Sequence, residues 1–318
     1  MATKTLNENI NQAINDFKGV KQAIIDKGVE IPSGTPTSEY GAKISEIQSG
    51  GSGGLDTSGV TDFRSLCNYD RFNDQLDKID TSKGTNFSNM FYSCSSLTGI
   101  PQLDTSKGTN FSYMFNGCSS LAEIPQLDTS KGTNFSYMFN NCSSLAKVSL
   151  FKSTTDKTNY SYMFSGCKKL VEVNSSTLGK NGSTFTHMFK GCSALTALDF
   201  GHMTWSSLNH SHFNSMFYDC TKLSNLTLGS IIPVTNTFWH CSALVNLEFT
   251  GTITINGSDY LRLSDSPLLT VDSLLNVLNA LADNTGKTTY KINLGSTNLA
   301  KLTSAQKAIA TNKNYTLA

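Results

Sequence analysis

Gln102-Leu-Asp-Thr-Ser-Lys-Gly-Thr-Asn-Phe-Ser-Tyr-Met-Phe115 recurs without a change as Gln126 to Phe139, 24 residues later. Outward from this pair, a looser pattern, Phe-x-x-Cys-x-x-Leu-x-x-(Ile/Val/Leu), begins at Phe91, Phe115, Phe139, Phe164, Phe189, Phe217 and Phe238. Successive intervals are 24, 24, 25, 25, 28 and 21 residues. A degenerate earlier copy runs through Leu55-Asp-Thr-Ser58 and Phe63-Arg-Ser-Leu-Cys67. One such unit cannot bury its apolar face alone, so stability must come from stacking on its neighbours. The chain is therefore a solenoid rather than a pair of globules.

Within one copy, Phe111, Met114, Phe115, Cys118 and Leu121 fall at i, i+3, i+4, i+7 and i+10, the spacing of one helical face. After Leu121 the pattern turns strand-like, and Asp104-Thr-Ser-Lys-Gly-Thr-Asn110 supplies turn formers, with Gly108 suited to a positive φ. Leu195–Phe200, Leu223–Leu228 and Leu244–Phe249 match the Leu-x-x-Leu-x-Leu core of leucine-rich repeats, whose period is 20–29 residues. The expected fold class is an α/β solenoid with one helix and one parallel strand per ~24-residue repeat. Its strands should form a continuous sheet on one side, with the helices on the other.

Asn-Phe-Ser-Tyr-Met-Phe-Asn-Gly-Cys-Ser-Ser-Leu at 110–121 resembles the BspA-like leucine-rich repeats of bacterial surface proteins and phage virion proteins, over about 56–250. That resemblance implies adhesion or structure without selecting between them.

Composition removes other classes. Twenty-five basic and 24 acidic residues leave a net charge of +1, without the basic stripe of a nucleic-acid binder. Eighteen Phe and eleven Tyr are too many for a disordered chain. No run approaches the ~18 apolar residues of a membrane span, and Met1–Ile10 lacks the pattern of a secretory leader. Seven of the eight cysteines, Cys94 to Cys241, share one repeat position and are expected as a buried ladder of free thiols. Asn-x-Ser/Thr at Asn86, Asn110, Asn134 and Asn159 recurs with the repeat and is expected to cap its helix rather than carry glycan. None of the five histidines recurs with the repeat on this reading. His210-Ser-His212 has the form of a metal-binding pair on a three-fold axis, but it lies in the longest repeat insertion and is expected as a solvated loop. No catalytic constellation, metal or other cofactor is expected, and the chain is not expected to be an enzyme.

The ends differ from the repeats. Residues 1–48 form an expected helical anchor: Thr5-Leu-Asn-Glu8 is a capping box, and Leu6, Ile10, Ala13, Phe17, Val20 and Ile24 follow a/d spacing. Two readings stay open, a coiled-coil seam and a single amphipathic helix packed on a neighbour. A second short helix is expected from Thr35-Pro36 through Tyr40, Ile44 and Ile47. A Gly/Ser linker, 49–54, precedes the solenoid at 55–269 and a capping segment at 270–318, where Val271–Ala282 reads as helix, Thr289–Leu294 as strand and Thr303-x-x-Gln306 as the start of another helix. Lys287, Lys291, Lys301, Lys307 and Lys313 make this segment mildly basic, read as a solvated face. Residues 11–36 and 293–316 are similar to segments of tail and fibre proteins of gut-bacterial phages, which implies placement in a virion.

The expected function is a phage virion structural protein, a fibre or decoration protein of tail or head, made in host cytoplasm. It would join other virion proteins through its N-terminus, assemble as a homotrimer by analogy with viral fibres, and project the repeats toward a host-surface glycan or protein. The alternative is a bacterial cell-surface leucine-rich-repeat adhesin. The candidate binding surface is the open strand face, where the outward position of successive copies holds Ser149, Asn174, Asp199, Thr227 and Glu248. No nucleic-acid or membrane partner is expected.

Overall fold

The structure, a computed structural model, describes residues 57–68, 76–148, 158–173, 184–204, 210–234, 236–255 and 260–318. The seam Leu6–Ile24, the second expected helix, the linker, Ser149 and Asn174 lie outside the described residues.

The repeats stack, but the expected helix is absent from every described copy. Residues 111–121 form consecutive turns instead: the amides of Met114, Asn116, Cys118 and Leu121 each donate to the carbonyl three residues back. The intervening amides leave the copy altogether. Phe111, Tyr113, Phe115 and Gly117 donate to the carbonyls of Asn134, Ser136, Met138 and Asn140 in the next repeat at 2.8–2.9 Å. An α-helix needs those donors for its own carbonyls four residues back, so the lateral ladder and the helix exclude each other. Left-handed residues at Tyr113 (φ 58°) and Gly117 (φ 78°) complete the first and third turns, as the third position of a type II turn requires. Asn110 caps the first of these turns: its Oδ1 accepts from the Ser112 amide at 3.1 Å and hydroxyl at 2.8 Å.

The residues of the supposed helical face are buried all the same. Two columns of stacked rings run along the axis. One is Phe63, Phe87, Phe111, Phe135, Tyr160, Phe185 and Phe213; the other is Phe91, Phe115, Phe139, Phe164, Phe189, Phe217 and Phe238, with centroids 5.2–6.2 Å apart in both. All eight cysteines are free and buried. From Cys94 on, each thiol donates to a carbonyl of the preceding copy, as Cys118 does to Phe91 at 3.0 Å. Burial pushes the thiols of Cys142, Cys192, Cys220 and Cys241 up, the last to about 12, so they stay protonated and inert.

Gly108 does not take a positive φ. It lies flat against its own repeat, where a Cβ would overlap the ring of Phe111, and Gly84 and Gly132 do the same against Phe87 and Phe135.

Strand structure is uneven. Between the early copies, parallel pairing consists of single bridges in the row Asp62, Asn86, Asn110, Asn134, Asn159 and Thr184. Pro101 and Pro125 follow directly on the apolar Ile100 and Ile124, and a proline has no N–H to give a ladder. Later copies form β1 (Lys147–Val148) paired with β2 (Glu172–Val173), and the three with the full Leu-x-x-Leu-x-Leu core form a parallel sheet of β3 (Ala197–Thr204), β4 (Asn225–Ser230) and β5 (Asn246–Phe249). Among the described residues of the repeats, the expected continuous sheet is represented by single bridges and two short sheets.

The C-terminal segment closes the stack with a parallel sheet of β6 (Leu261–Arg262), β7 (Tyr290–Asn293) and β8 (Tyr315–Leu317), and with helices α1 (Val271–Ala280), α2 (Gly295–Ala300) and α3 (Ser304–Asn312). Thr270 caps α1 by accepting from the Ser273 amide, and Thr303 with Gln306 forms a reciprocal capping box on α3. The basic residues here are not all solvated. Lys301 donates to the carbonyls of Pro267 and Leu269, and Lys313 donates to Leu278, Asn279 and Leu281 at 3.2, 2.6 and 2.8 Å. Lys313 thereby satisfies carbonyls that the end of α1 leaves without intrahelical donors. Lys313→Met, which keeps the aliphatic stem, is expected to cost about 1.5 kcal/mol in urea unfolding, whereas Lys287→Met at an exposed site should cost under about 0.5 kcal/mol.

Candidate functional site

Parallel pairing in register carries one residue type after another across the strands. Asp199 pairs with Thr227, and Thr227 with Glu248, so these three expected face residues form one row on β3, β4 and β5. Asp199 and Glu248 are exposed and Thr227 half-buried, while Leu198, Leu226 and Leu247 beside them are buried. Two residues earlier, on the same face, the row Ala197, Asn225 and Asn246 is exposed, and Asn246 donates its amide to Asn225 Oδ1 at 2.7 Å. The Asp199 carboxylate is oriented by the Gly201 amide at 2.8 Å. A face of this composition accepts and donates hydrogen bonds without a strong field of either sign.

A second row lies on the turn side, where the expected helix would have pointed its polar face. Two residues before the second ring column stand Tyr113, Tyr137, Tyr162 and His187, all half-buried. Their rings stack at 4.5, 4.4 and 4.5 Å with interplanar angles of 4–7°. Each backbone is left-handed there, with φ of 57–58°. Burial, followed by the neighbouring phenols, pushes Tyr137 up to about 12, so the ring stays a neutral phenol at physiological pH. Burial, and then Lys190, holds His187 below the usual imidazole range, and its buried Nδ1 has no hydrogen-bond partner among the described residues. Aromatic residues then appear three residues later in the copy, at the position of Asn116 and Lys190: Lys190 Nζ sits 5.0 Å from the Tyr218 centroid, Tyr218 lies 5.7 Å from Trp239, and the Arg262 guanidinium stacks 4.5 Å from Trp239. Beside it, His240 Nδ1 and Asp219 Oδ1 approach to 2.6 Å, and Arg262 pairs with Asp265 at 3.1 Å.

Two histidines therefore do follow the repeat. His187 takes the tyrosine position, and His240 takes the second left-handed position that Gly117, Gly166 and Gly191 fill elsewhere. The signal was present in the sequence, a tyrosine two before phenylalanine in three successive copies, but a helical reading leaves such residues on a solvated side. His210–Phe213 forms a short 3-10 helix, and among the described residues no three His, Cys, Asp or Glu side chains are grouped to hold a metal ion. No helix of the described residues is long and apolar enough to cross a membrane.

The protein family described as "Mycoplasma protein of unknown function, DUF285" matches residues 38–150, 63–176 and 151–246. Among solved structures, the leucine-rich repeat protein TpLRR of T. pallidum is similar at 21% identity, covering 49% of this chain and 69% of that one with a TM-score of 0.36. No curated protein matches the chain.

Proposed function

We propose, for a chain that belongs to the family described as Mycoplasma protein of unknown function, DUF285, a structural and adhesive role: a fibre or decoration protein of a phage particle that presents its leucine-rich repeats to the host surface. On this reading residues 1–48 anchor the chain to other virion proteins and bring three copies together through Leu6, Ile10, Ala13, Phe17, Val20 and Ile24. The repeats then serve as a spacer with a contact surface, and no chemistry is assigned to them.

The observation that carries this reading is the outward row of exposed Asp199, half-buried Thr227 and exposed Glu248, held in register by parallel pairing beside buried Leu198, Leu226 and Leu247. Such a row offers repeated hydrogen-bonding groups at strand spacing, about 4.8 Å, which suits a multivalent contact with an outer cell surface. The similarity of residues 11–36 and 293–316 to phage tail and fibre proteins supports the placement in a virion.

The charge-reversed pair Asp199→Arg with Glu248→Arg tests the contact. Both side chains are exposed, so thermal unfolding should be unchanged while binding of the full chain to whole host bacteria weakens at least about tenfold, equivalent to about 1.4 kcal/mol. Unchanged binding by the folded variant excludes this face. Mass spectrometry of purified phage particles separates virion placement, where the chain is a stoichiometric component, from a bacterial surface adhesin, where it fractionates with the cell envelope.

A further inference from the structure

We infer that the strip formed by Tyr113, Tyr137, Tyr162, His187, Tyr218 and Trp239 is a binding surface for a linear, uncharged polysaccharide lying along the solenoid axis. This deepens the adhesive reading above and rests on it, but it concerns a different face of the repeats.

The fold itself does not call for these rings. The same left-handed position is filled by Ser65, Asn89 and Ser215 in other copies, at φ of 59°, 56° and 52°. Those copies join the same lateral hydrogen-bond ladder, Ser65 to Ser88 and Asn89 to Ser112. Asparagine is among the residues that tolerate this backbone region best, and a bulky side chain pays a steric cost there. Three tyrosines and a histidine in successive copies are thus surplus to what the backbone requires.

What the strip offers is also specific. The four stacked rings cover each other's faces and leave a row of half-exposed edges and polar groups at intervals of 4.4–4.5 Å. Toward the C-terminal end Tyr218 and Trp239, both half-buried, tilt by 45° to one another and so do not cover each other's faces as the stacked rings do. Half-exposed Asn116 and Asn140 lie three residues after Tyr113 and Tyr137, in the same turns, and add amide donors and acceptors. A site that repeats along one axis matches a ligand that repeats along its own chain. The charged groups nearby are already engaged: Lys190 on Tyr218, Arg262 on Trp239 and Asp265, and His240 with Asp219. These contacts commit the described charges beside the strip, which favours a neutral ligand over a polyanion.

The test is native electrophoresis of the full chain through gels cast with soluble barley β-glucan, galactomannan or α-mannan, with alginate as the anionic comparison. At least one neutral polymer should retard the chain. Tyr113→Asn with Tyr137→Asn and Tyr162→Asn, which keeps residues suited to the left-handed backbone, should weaken that retardation at least tenfold without loss of the circular-dichroism spectrum. Should the triple variant not fold, Tyr137→Asn and Trp239→Ala alone carry the same expectation. Retardation by no neutral polymer, retardation by alginate alone, or undiminished retardation of the folded variants overturns the assignment. A chain that binds a neutral polymer through the strip yet does not bind bacteria keeps this site and overturns the adhesive reading instead.

Discussion

Phe139→Ala is expected to lower the free energy of unfolding by about 3–5 kcal/mol, whereas Lys131→Ala should change it by less than about 0.5 kcal/mol. Phe139 is fully buried, with its ring stacked between Phe115 at 5.4 Å and Phe164 at 5.6 Å. Truncation removes the ring from both neighbours and opens a cavity in a column that cannot close, because lateral hydrogen bonds hold the backbone on either side. Phe139 itself donates to Met163 at 2.9 Å, and Phe115 donates to Met138. Lys131 is exposed in the preceding turn. Urea unfolding followed by circular dichroism measures both, and equal effects would remove Phe139 from the core.

Gly132→Ala is expected to cost about 1–3 kcal/mol, the range for forcing an extra methyl into a packed core. The added Cβ would overlap the far edge of the Phe135 ring. That ring is fully buried, with Phe111 at 5.4 Å on one side and Tyr160 at 5.7 Å on the other, so it has no free direction in which to move. Gly99→Ala is the control: a Cβ there meets nothing within 4 Å, and the change should cost under about 0.5 kcal/mol. Combining Gly132→Ala with Phe135→Leu should cost less than the sum of the two single changes, since the smaller side chain relieves the overlap; strict additivity would deny the contact.

Both predictions turn on the same feature, a backbone whose amides alternate between their own copy and the next. Lateral bonding makes each repeat a template for its neighbour, and it explains why the stack tolerates insertions such as the 28-residue interval before Phe217: the ladder resumes with Phe189 donating to Met216 at 3.0 Å. It also gives the buried thiols their partners, since each cysteine from Cys94 on donates to a carbonyl in the copy before it.

The period, the stacking, and the burial of Phe111, Met114, Phe115, Cys118 and Leu121 were determined by the sequence alone, because an apolar side chain recurring every 24 residues has nowhere to go but a shared core. The same holds for the outward row Asp199, Thr227 and Glu248, since strand residues alternate faces whatever surrounds them. Whether the buried residues ride on a helix was decided only by tertiary structure. Spacing of three and four residues serves consecutive turns as well as it serves a helix, and only the presence of acceptors such as Asn134, Ser136 and Met138 on the next copy diverts the amides of Phe111, Tyr113 and Phe115 sideways. The role of Gly108 followed the same rule: a turn residue by composition, it is a packing residue because Phe111 lies over it. Lys313 and the tyrosine row depended most on tertiary structure, because their partners, the end of α1 and the equivalent rings of other copies, are more than twenty residues away in sequence and become neighbours only once the chain has stacked.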